Sequence, residues 1–348
     1  MKKNLHVAAN SADYPNKFVP DYARMVGNET QGSKNEFIFI GDGSGIGGGF
    51  KFSVGKRNLW YGIKFCFLAR EYSSIIFHST PSKYLLLFLI LRFLIFRSIR
   101  IYFVLWGGEF KFSGGGGVHG RLIALLNKLA MQCSDGFITY LKSDYEKAVQ
   151  LSGNHRAKWI DIDGVYPSNS LTATAPSRSK KICRVLIGAS ALERNKHFEI
   201  IERLAKKSVA AEVEYIIPLS YGDRRYADKV FQYAEAMLVG DLKPLFGFME
   251  RDEYLKLLST IDIAFFNNEG QQGMGNIRNL LGFGAQVFLN PQSDSYRYFL
   301  NLGLKVFDIT DNSIVIEQAL MESNITRAHA LFSREQLVKQ TENFLQNA

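Results

Sequence analysis

The sequence predicts an α/β protein built from two Rossmann-like domains that face a cleft. Its 348 residues exceed one ordinary domain and suffice for two. Short apolar, β-branched runs alternate with longer helical patterns, which is typical of parallel sheets covered by helices. One polar, proline-bearing segment, residues 167–181, divides this pattern into similar halves. We therefore predict an N-terminal domain over residues 1–166, a linker over 167–181, a second domain over 182–325 and a C-terminal helix over 326–348 that packs across the cleft.

The individual elements follow from the same alternation. In the N-terminal half we predict strands at residues 5–9, 36–40, 74–78, 101–105, 136–139 and 158–160, and helices at 16–25, 83–96 and 122–132. In the C-terminal half we predict strands at 182–187, 213–218, 263–266 and 286–290, and helices at 198–206, 226–239, 251–259, 275–282 and 333–346. In open sheets of this kind the ligand binds at the carboxyl ends of the strands.

Composition indicates a reducing compartment and anionic partners. Cys66, Cys133 and Cys183 are widely spaced and form no metal-binding pattern, so neither a disulfide framework nor a zinc site is expected, and the cytosol fits best. No sustained apolar segment follows the two starting lysines, so we predict no signal peptide. The net charge of +9 suggests phosphorylated ligands, an acidic membrane surface or nucleic acid, or else an ordinary basic surface.

The most apolar stretch, residues 84–105, has two interpretations. A membrane-spanning helix needs about 20 predominantly apolar residues with few charges, and Arg92, Arg97 and Arg100 interrupt this stretch. We predict a helix packed on the sheet, followed by a buried strand. The alternative is that its apolar and arginine-bearing surface touches the bilayer, as basic amphipathic helices do.

Two glycine-rich segments invite a nucleotide-binding interpretation. Residues 41–49 match the spacing of a dinucleotide fingerprint, but no helix opens directly behind them and no acidic residue stands about 20 positions on in a new strand. Residues 114–120 lack the lysine and the serine or threonine of a phosphate-binding loop. We predict a loop at both places.

The segment over residues 245–291 is more specific. It predicts an amphipathic helix, a strand, a polar glycine loop that opens a second helix, and a closing strand. Glycines at 270, 273 and 275 allow backbone amides to approach a ligand, and a helix N-terminus favours an anion there. This order resembles the nucleotide-sugar site of GT-B glycosyltransferases.

A second loop of the same domain carries basic side chains. Residues 188–197 follow the first strand of the domain, where GT-B enzymes often place basic groups against the donor diphosphate. Arg194 and Lys196 are the candidates here, and Gly188 and Ser190 belong to the same donor-binding loop. The alternative is a solvated charged turn.

The order of motifs over nearly the whole chain resembles one family. The motifs are LHVAANSADYPNKF near the start, IIFH at 75–78, LWGGEF at 105–110, GAS followed by NKH at 188–197, IIPLSYG at 216–222 and the run that ends in QQGMG at 271–275. They are similar to those of the 4-acetamido-4,6-dideoxygalactosyltransferases of enterobacterial common antigen synthesis, in glycosyltransferase family 56. Glu109 stands where that family has aspartate, GASAL at 188–192 replaces GNSGD, and Asn279 stands where many GT-B enzymes carry a ribose-binding glutamate.

The resemblance implies that residues 1–166 bind the acceptor and residues 182–325 bind the nucleotide-sugar. It also implies the partners of the reaction. They are a dTDP-sugar donor, in preference to a UDP-sugar, and an undecaprenyl-diphosphate-linked saccharide acceptor, with no metal or other cofactor. The resemblance also implies a peripheral place on the anionic cytoplasmic face of the bacterial inner membrane. No motif indicates nucleic-acid binding.

Residue roles follow from the chemistry of glycosyl transfer, which needs a base for the acceptor hydroxyl and stabilisation of the diphosphate. Glu109 is the base candidate, or else it orients the acceptor or caps a turn. His78 and His119 are acceptor-side candidates. The donor side is predicted to use the loop and helix start formed by Gln271, Gln272, Gly273, Met274, Gly275 and Asn276, with Tyr221 over the base or sugar.

Two other classes of function remain open at this level. A catalytically silent nucleotide- or glycan-binding protein on the same scaffold is conceivable because GNSGD is lost. A nicotinamide-dependent sugar-nucleotide oxidoreductase is suggested by residues 41–49, but the flanking helix and the ribose-binding acid are missing.

Overall fold

The computed structural model describes residues 2–10, 18–41, 52–55, 59–78, 98–105, 118–162, 165–167, 170–171, 182–206, 212–311 and 318–348. The chain divides into two compact units. The first comprises Met1–Ser168 together with Arg334–Ala348, and the second comprises Asn169–Ser333. The helix expected at 83–96 and most of the loops expected at 41–49 and 114–120 lie outside the described residues. The described parts of these two loops were predicted wrongly, since Gly41 ends a strand and residues 118–120 form the first turn of a helix.

The first unit is built on a parallel sheet. Its described strands are β1 (Lys2–Asn10), β2 (Ser33–Gly41), β3 (Phe52–Gly55), β4 (Ser74–Phe77), β5 (Arg100–Val104), β6 (Gly136–Ile138) and β7 (Lys158–Ile160). Their order across the sheet is β3-β2-β1-β4-β5-β6-β7, with every neighbouring pair parallel. The chain therefore starts in the middle of the sheet, runs to one edge, and returns to place β4 beside β1.

Helices cover both faces of this sheet. They are α1 (Val19–Glu29), α2 (Leu59–Leu68), α3 (Val118–Gln132), α4 (Lys142–Ser152) and α11 (Arg334–Asn347). Helices α2, α3 and α4 share one apolar core with the sheet. Helices α1 and α11 share the core on the opposite face, where α11 contributes Leu337, Phe344 and Leu345. Burial on both faces explains why the strands read as near-continuous apolar runs.

The second unit repeats the design. Its strands are β8 (Ile182–Ile187), β9 (Glu212–Pro218), β10 (Asp241–Leu245), β11 (Ile263–Phe266), β12 (Gln286–Leu289) and β13 (Phe307–Asp308), in the order β10-β9-β8-β11-β12-β13 and all parallel. Its described helices are α5 (His197–Ala205), α6 (Arg224–Met237), α7 (Arg251–Leu258), α8 (Met274–Gly282), α9 (Asp294–Asn301) and α10 (Gln318–Phe332). The α/β class with two Rossmann-like units is thereby confirmed.

Some elements differ from the sequence-based prediction. Helix α1 begins three residues later than expected because Pro20 suits the first helical turn. Strand β10 was missed because Asp241, Lys243 and Pro244 obscure it, and a proline is tolerated there because β10 lies at the edge of its sheet. No helix within the described ranges is both long and apolar enough to cross a membrane.

Candidate active site

The candidate site lies at the carboxyl edge of the second sheet. Strand β8 occupies the middle of this sheet, and the chain returns to put β11 directly beside it. The loops that follow β8 and β11 therefore leave the same edge next to each other. This is the switch point at which open parallel sheets bind ligands.

The loop after β8 depends on a glycine at its start. Gly188 has φ +71° and sits against the buried imidazole of His197, and a Cβ atom at Gly188 would overlap the Nε2 atom of that ring. The Nδ1 atom of His197 lies 3.2 Å from the hydroxyl of Tyr226. Burial lowers the pKa of His197 to about 4, so the ring is neutral near pH 7. The GAS sequence thus packs tightly over an uncharged histidine.

Backbone hydrogen bonds join this loop to the loop after β9. The Ala191 amide donates to the Tyr221 carbonyl at 2.7 Å, and the Asp223 amide donates to the Ala191 carbonyl at 2.8 Å. The side chain of Tyr221 is 73% exposed at this junction. Asn195 fixes Ser190, because its Nδ2 atom donates to the Ser190 carbonyl at 2.9 Å and to the Ser190 hydroxyl at 3.0 Å. The two loops therefore form one connected rim.

The predicted basic residues of the rim have different environments. Lys196 has φ +52° and starts α5, and its Nζ atom lies 2.8 Å from Oε1 of Glu269 in the loop after β11. This ion pair raises the pKa of Lys196 and lowers the pKa of Glu269. Arg194 is exposed in the short 3-10 turn before α5. Lys196 thus bridges the two loops, while Arg194 is exposed to solvent beside them.

Asparagines shape the loop after β11. The side chain of Asn268 is buried, and its Nδ2 atom donates to the carbonyls of Gly270 at 2.7 Å and Gln272 at 3.3 Å. Asn267 donates to Glu199 Oε2 at 2.7 Å. These bonds hold the loop in a tight turn whose backbone carbonyls point inwards to Asn268.

Gln271 stands at the tip of this turn with an unusual carboxamide. Both its Nε2 and its Oε1 atoms are screened from solvent, and neither makes a hydrogen bond to any described residue. A buried amide without partners costs about 1–3 kcal/mol, so native proteins rarely keep one without a reason. The carboxamide keeps one donor group and one acceptor unused, and a rotation of the side chain would present them to a polar ligand seated against the loop.

Helix α8 begins directly behind this turn. Gly273 caps it with φ +72°, and no described side chain does so. A Cβ atom at Gly273 would lie 3.3 Å from Cβ of Ala189, so the turns after β8 and β11 are in contact. The first-turn amides of Met274, Gly275 and Asn276 have no intrahelical acceptors and carry the positive end of the helix dipole. They form the end of the candidate site that favours an anion.

Two asparagines of α8 are used inside the fold. The side chain of Asn276 donates to the hydroxyl of Tyr254 at 2.9 Å. The side chain of Asn279 is buried and donates to the Gly275 carbonyl at 2.7 Å. Asn276 is therefore available to a ligand through its backbone amide.

In the first unit, His78 lies at the equivalent switch point between β1 and β4 and belongs to a buried hydrogen-bonded chain. Its Nδ1 atom lies 2.7 Å from the Tyr166 hydroxyl, and its Nε2 atom lies 3.0 Å from Nδ1 of His6. The Nε2 atom of His6 lies 3.5 Å from Oδ1 of Asn35, which also accepts from Asn4 at 3.0 Å.

The direction of this chain follows from its last acceptor. Because Asn35 Oδ1 accepts, His6 Nε2 donates to it and His6 Nδ1 accepts from His78 Nε2. His78 Nδ1 then accepts from the Tyr166 hydroxyl. Each histidine needs only one proton, and burial holds the pKa of both well below its usual value, His6 at about 3. His78 is thus a neutral residue engaged on both ring nitrogens.

The remaining predicted residues are less defined. Glu109 lies outside the described residues. His119 falls within α3, whose backbone is described there, but its side chain is not. Sequence reasoning missed the supporting roles of Asn195, His197 and Asn268, for which the only signal was a polar residue in a segment that follows a predicted strand.

The described arrangement suits a phosphorylated ligand that also carries hydroxyl or amide groups. The α8 N-terminus provides amides for an anion, Gln271 provides an unused amide pair, and Tyr221 provides an exposed ring. Among the described residues, no group of three His, Cys, Asp or Glu side chains is placed to hold a metal ion.

Comparison with solved structures identifies the fold family. The apo form of the lipopolysaccharide outer core galactosyltransferase WaaB matches with a TM-score of 0.67 and 9% identity over 98% of both chains. HepE of Anabaena, solved with UDP and glucose, matches with a TM-score of 0.67 and 13% identity over 100% of both chains. A UDP-forming trehalose-phosphate synthase from Burkholderia xenovorans, solved with glucose-6-phosphate, matches with a TM-score of 0.62 and 13% identity over 99% of both chains. The fold is that of the GT-B glycosyltransferases.

The family assignment is more specific than the fold. The family described as 4-alpha-L-fucosyltransferase, glycosyl transferase group 56, matches residues 67–347. The chain belongs to this family, and it is a sugar-transferring enzyme. The match includes the loops after β8, β9 and β11, so the candidate site lies wholly within the family region.

The junction of the rim loops gives a direct test of the site's architecture. Gly222 has φ +123°, and a Cβ atom there would overlap the carbonyl oxygen of Ala191, which is fixed backbone. We expect Gly222→Ala to lower the free energy of unfolding by about 1–3 kcal/mol and to weaken nucleotide binding, measured by urea unfolding and by ligand-induced thermal shift. Gly247→Ala is the matched control, since nothing lies within 4 Å of its added methyl group. Equal effects of the two substitutions would contradict the role of the junction.

Proposed function

We propose that the protein transfers an N-acetylated deoxy sugar from a dTDP-sugar to an undecaprenyl-diphosphate-linked saccharide in bacterial surface polysaccharide synthesis. The observation that carries the donor side is the unpartnered carboxamide of Gln271 directly before the α8 N-terminus. Membership of family 56 supports sugar transfer, and the bound UDP of HepE supports a nucleotide-sugar donor.

On the donor side, each group of the site matches one part of the ligand. The amides of residues 273–276 face the diphosphate, whose negative charge grows as the glycosidic bond breaks. Arg194 and Lys196 add positive charge beside it. Gln271 accepts from an acetamido N–H or a hydroxyl and donates to a neighbouring sugar oxygen, with Gln272 next to it. Tyr221 stacks on the base or covers the sugar.

On the acceptor side, we propose Glu109 as the base that removes the proton of the attacking hydroxyl. His119 is proposed to contact the acceptor, and His78, both of whose ring nitrogens are engaged, to support the acceptor side from inside the fold. In the sequence Glu109 comes shortly after the end of β5, and ligands of open parallel sheets bind beyond the carboxyl ends of the strands. The lipid-linked acceptor places the enzyme at the anionic inner face of the bacterial inner membrane, which is consistent with its net charge of +9.

A thermal-shift panel with dTDP, UDP, GDP and NAD tests the donor class, because a ligand that binds only the native state raises its apparent stability. We expect the largest shift with dTDP. A shift with UDP alone would move the donor to the UDP-sugars. A shift with NAD alone, or none with any nucleotide, would contradict the proposed function. Transfer from a radiolabelled dTDP-sugar to lipid-extractable product then tests the acceptor.

Substitution of the loop glutamines separates a functional role from a structural one. We expect Gln271→Ala and Gln272→Ala each to lower kcat/KM by about 10- to 100-fold, since each removes hydrogen bonds to the sugar. Gln271→Ala is also expected to leave the unliganded protein as stable as before or more stable, because it removes a buried amide that has no described partner. Gln232→Ala, at an exposed position on α6, is the control. A loss of stability together with unchanged kcat/KM would show that the glutamines only shape the loop.

A further inference from the structure

Helix α2 of the first unit presents apolar side chains on both of its faces. Its inward face packs into the sheet core through Phe65, with Tyr61 and Leu68 partly buried beside it. Its outward face carries Trp60, Ile63 and Phe67, which are 81%, 40% and 61% exposed. Positions i, i+3 and i+7 of a helix lie on one side, so these three side chains form one stripe.

An exposed apolar stripe of this kind is unusual on a surface helix. A helix on the surface of a globular protein normally turns polar residues outwards, and a helix that is apolar all round is normally buried. Single exposed apolar residues are common, but an aromatic cluster on one face marks a contact surface. Tryptophan and phenylalanine together are the residues with which helices settle into the lipid–water boundary.

Basic side chains lie on and beside the stripe. Helix α2 carries Lys64 and no acidic residue, and Arg70 follows it, while the next residue, Glu71, is exposed and engaged in an ion pair. Lys64 is exposed between Ile63 and Phe67, and the guanidinium of Arg70 lies 5.2 Å from the centre of the Phe67 ring. A basic rim around aromatic side chains complements an anionic surface.

Helix α3 extends the same character. It packs against the same core and the same face of the sheet as α2. Its exposed positions include Arg121, Leu125 and Lys128, spaced i, i+4 and i+7, and its sequence has no acidic residue. Two helices on one face of the unit thus turn apolar and basic side chains outwards.

We propose that the outward faces of α2 and α3 dock the first unit on an anionic lipid bilayer, with Trp60 and Phe67 inserted at the level of the headgroups and Lys64, Arg121 and Lys128 against the lipid phosphates. This docking surface rests on the proposed function only for the choice of a membrane as partner. It brings the unit assigned to the acceptor to the surface in which a polyprenyl-linked acceptor is anchored.

Co-sedimentation of the full chain with lipid vesicles tests the proposal. Vesicles of about 30% phosphatidylglycerol in phosphatidylcholine are compared with pure phosphatidylcholine, at low salt and at about 0.5 M NaCl. We expect the wild type to bind the anionic vesicles and to bind them less at high salt. The partition coefficient should fall by roughly tenfold or more in Trp60→Ser/Phe67→Ser and in Lys64→Glu. Brominated lipids should quench the emission of Trp60, as judged against Trp60→Phe.

Matched variants in the second unit serve as controls. Val239→Ser/Leu300→Ser removes two exposed apolar side chains, and Lys229→Glu reverses one exposed lysine. These variants are expected to bind like the wild type. Because all the replaced side chains are exposed, the urea midpoints should stay unchanged; where the double variant unfolds, Lys64→Glu alone decides.

Three outcomes would overturn the docking surface: equal binding of the α2 variants and their controls, equal binding to neutral and anionic vesicles, or a dimer in sedimentation velocity that the α2 variants dissociate without any vesicle binding. The dTDP thermal shift on the same preparations keeps the two proposals apart. Lost vesicle binding with an intact dTDP shift removes the docking surface alone. Vesicle binding without a dTDP shift removes the donor class alone.

Discussion

Stability is expected to fall steeply as the pH drops from 7 towards 5, because buried neutral histidines must take up protons on unfolding. Burial lowers the pKa of His6 to about 3 and of His197 to about 4, and burial next to His6 keeps that of His78 well below 6.5. In the unfolded chain all three titrate near 6.5. Between these values the unfolded state binds more protons, so stability is present above pH 6.5 and is lost as the pH falls.

The size of the effect follows from the proton count. Each proton changes the free energy of unfolding by about 1.4 kcal/mol per pH unit in this interval. With two such histidines in the first unit and one in the second, we expect losses of about 4 and about 2 kcal/mol between pH 7 and 5. Urea unfolding at several pH values measures them.

Histidine substitutions identify the groups responsible. His78→Asn should reduce the pH dependence of the first unit by about half, whatever it does to the stability at pH 7. His155→Asn, at an exposed position after α4, should leave it unchanged. A free energy of unfolding that is the same at pH 7 and pH 5 would contradict the neutral His6–His78 chain.

The second large effect is expected at Glu109. Glu109→Gln should lower kcat by about 10²- to 10⁴-fold, because an amide cannot accept the proton of the acceptor hydroxyl. Donor binding should persist, since the residues proposed to bind the donor belong to the second unit, so the dTDP thermal shift should equal that of the wild type. Initial rates at saturating donor and acceptor measure kcat.

Glu109→Asp is the matched variant. It keeps a carboxylate at this position and introduces aspartate, the residue that the resembled transferases of family 56 have there. It should retain far more activity than Glu109→Gln and keep the acidic limb of the pH–rate profile, which the amide variant should lose. Wild-type turnover in folded Glu109→Gln would remove the base assignment, and equal losses in both variants would indicate a role that depends on side-chain length.

The fold could be predicted from the sequence because parallel strands buried on both faces leave a strong apolar signal. Strand β11 was predicted with the bounds it has, and α8 to within one residue. Other elements were missed. Polar residues and a proline obscure strand β10 at the sheet edge, and apolar residues on both faces of α2 remove its helical period. Helix α9 was missed although its amphipathic pattern is that of a helix.

The candidate site could be predicted in outline but not in detail. Glycine spacing and strand ends located the loops after β8 and β11, since backbone conformation leaves its mark on residue type. Contacts between distant residues leave no such mark. The Lys196–Glu269 ion pair, the Asn276–Tyr254 hydrogen bond and the histidine chain each join residues whose pairing depends on the tertiary fold. The roles of the site residues remain predictions.

The membership of α11 in the first unit has a consequence for biosynthesis. The second unit is one continuous stretch of chain, whereas the core under α1 needs Leu337, Phe344 and Leu345 from beyond it. On the ribosome, the unit encoded in the middle can therefore complete itself before the unit that emerges first. Until α11 has been synthesised, the apolar side chains of α1 and its sheet stay exposed. We expect the nascent chain to be most prone to aggregation, and to depend most on chaperones, during that interval.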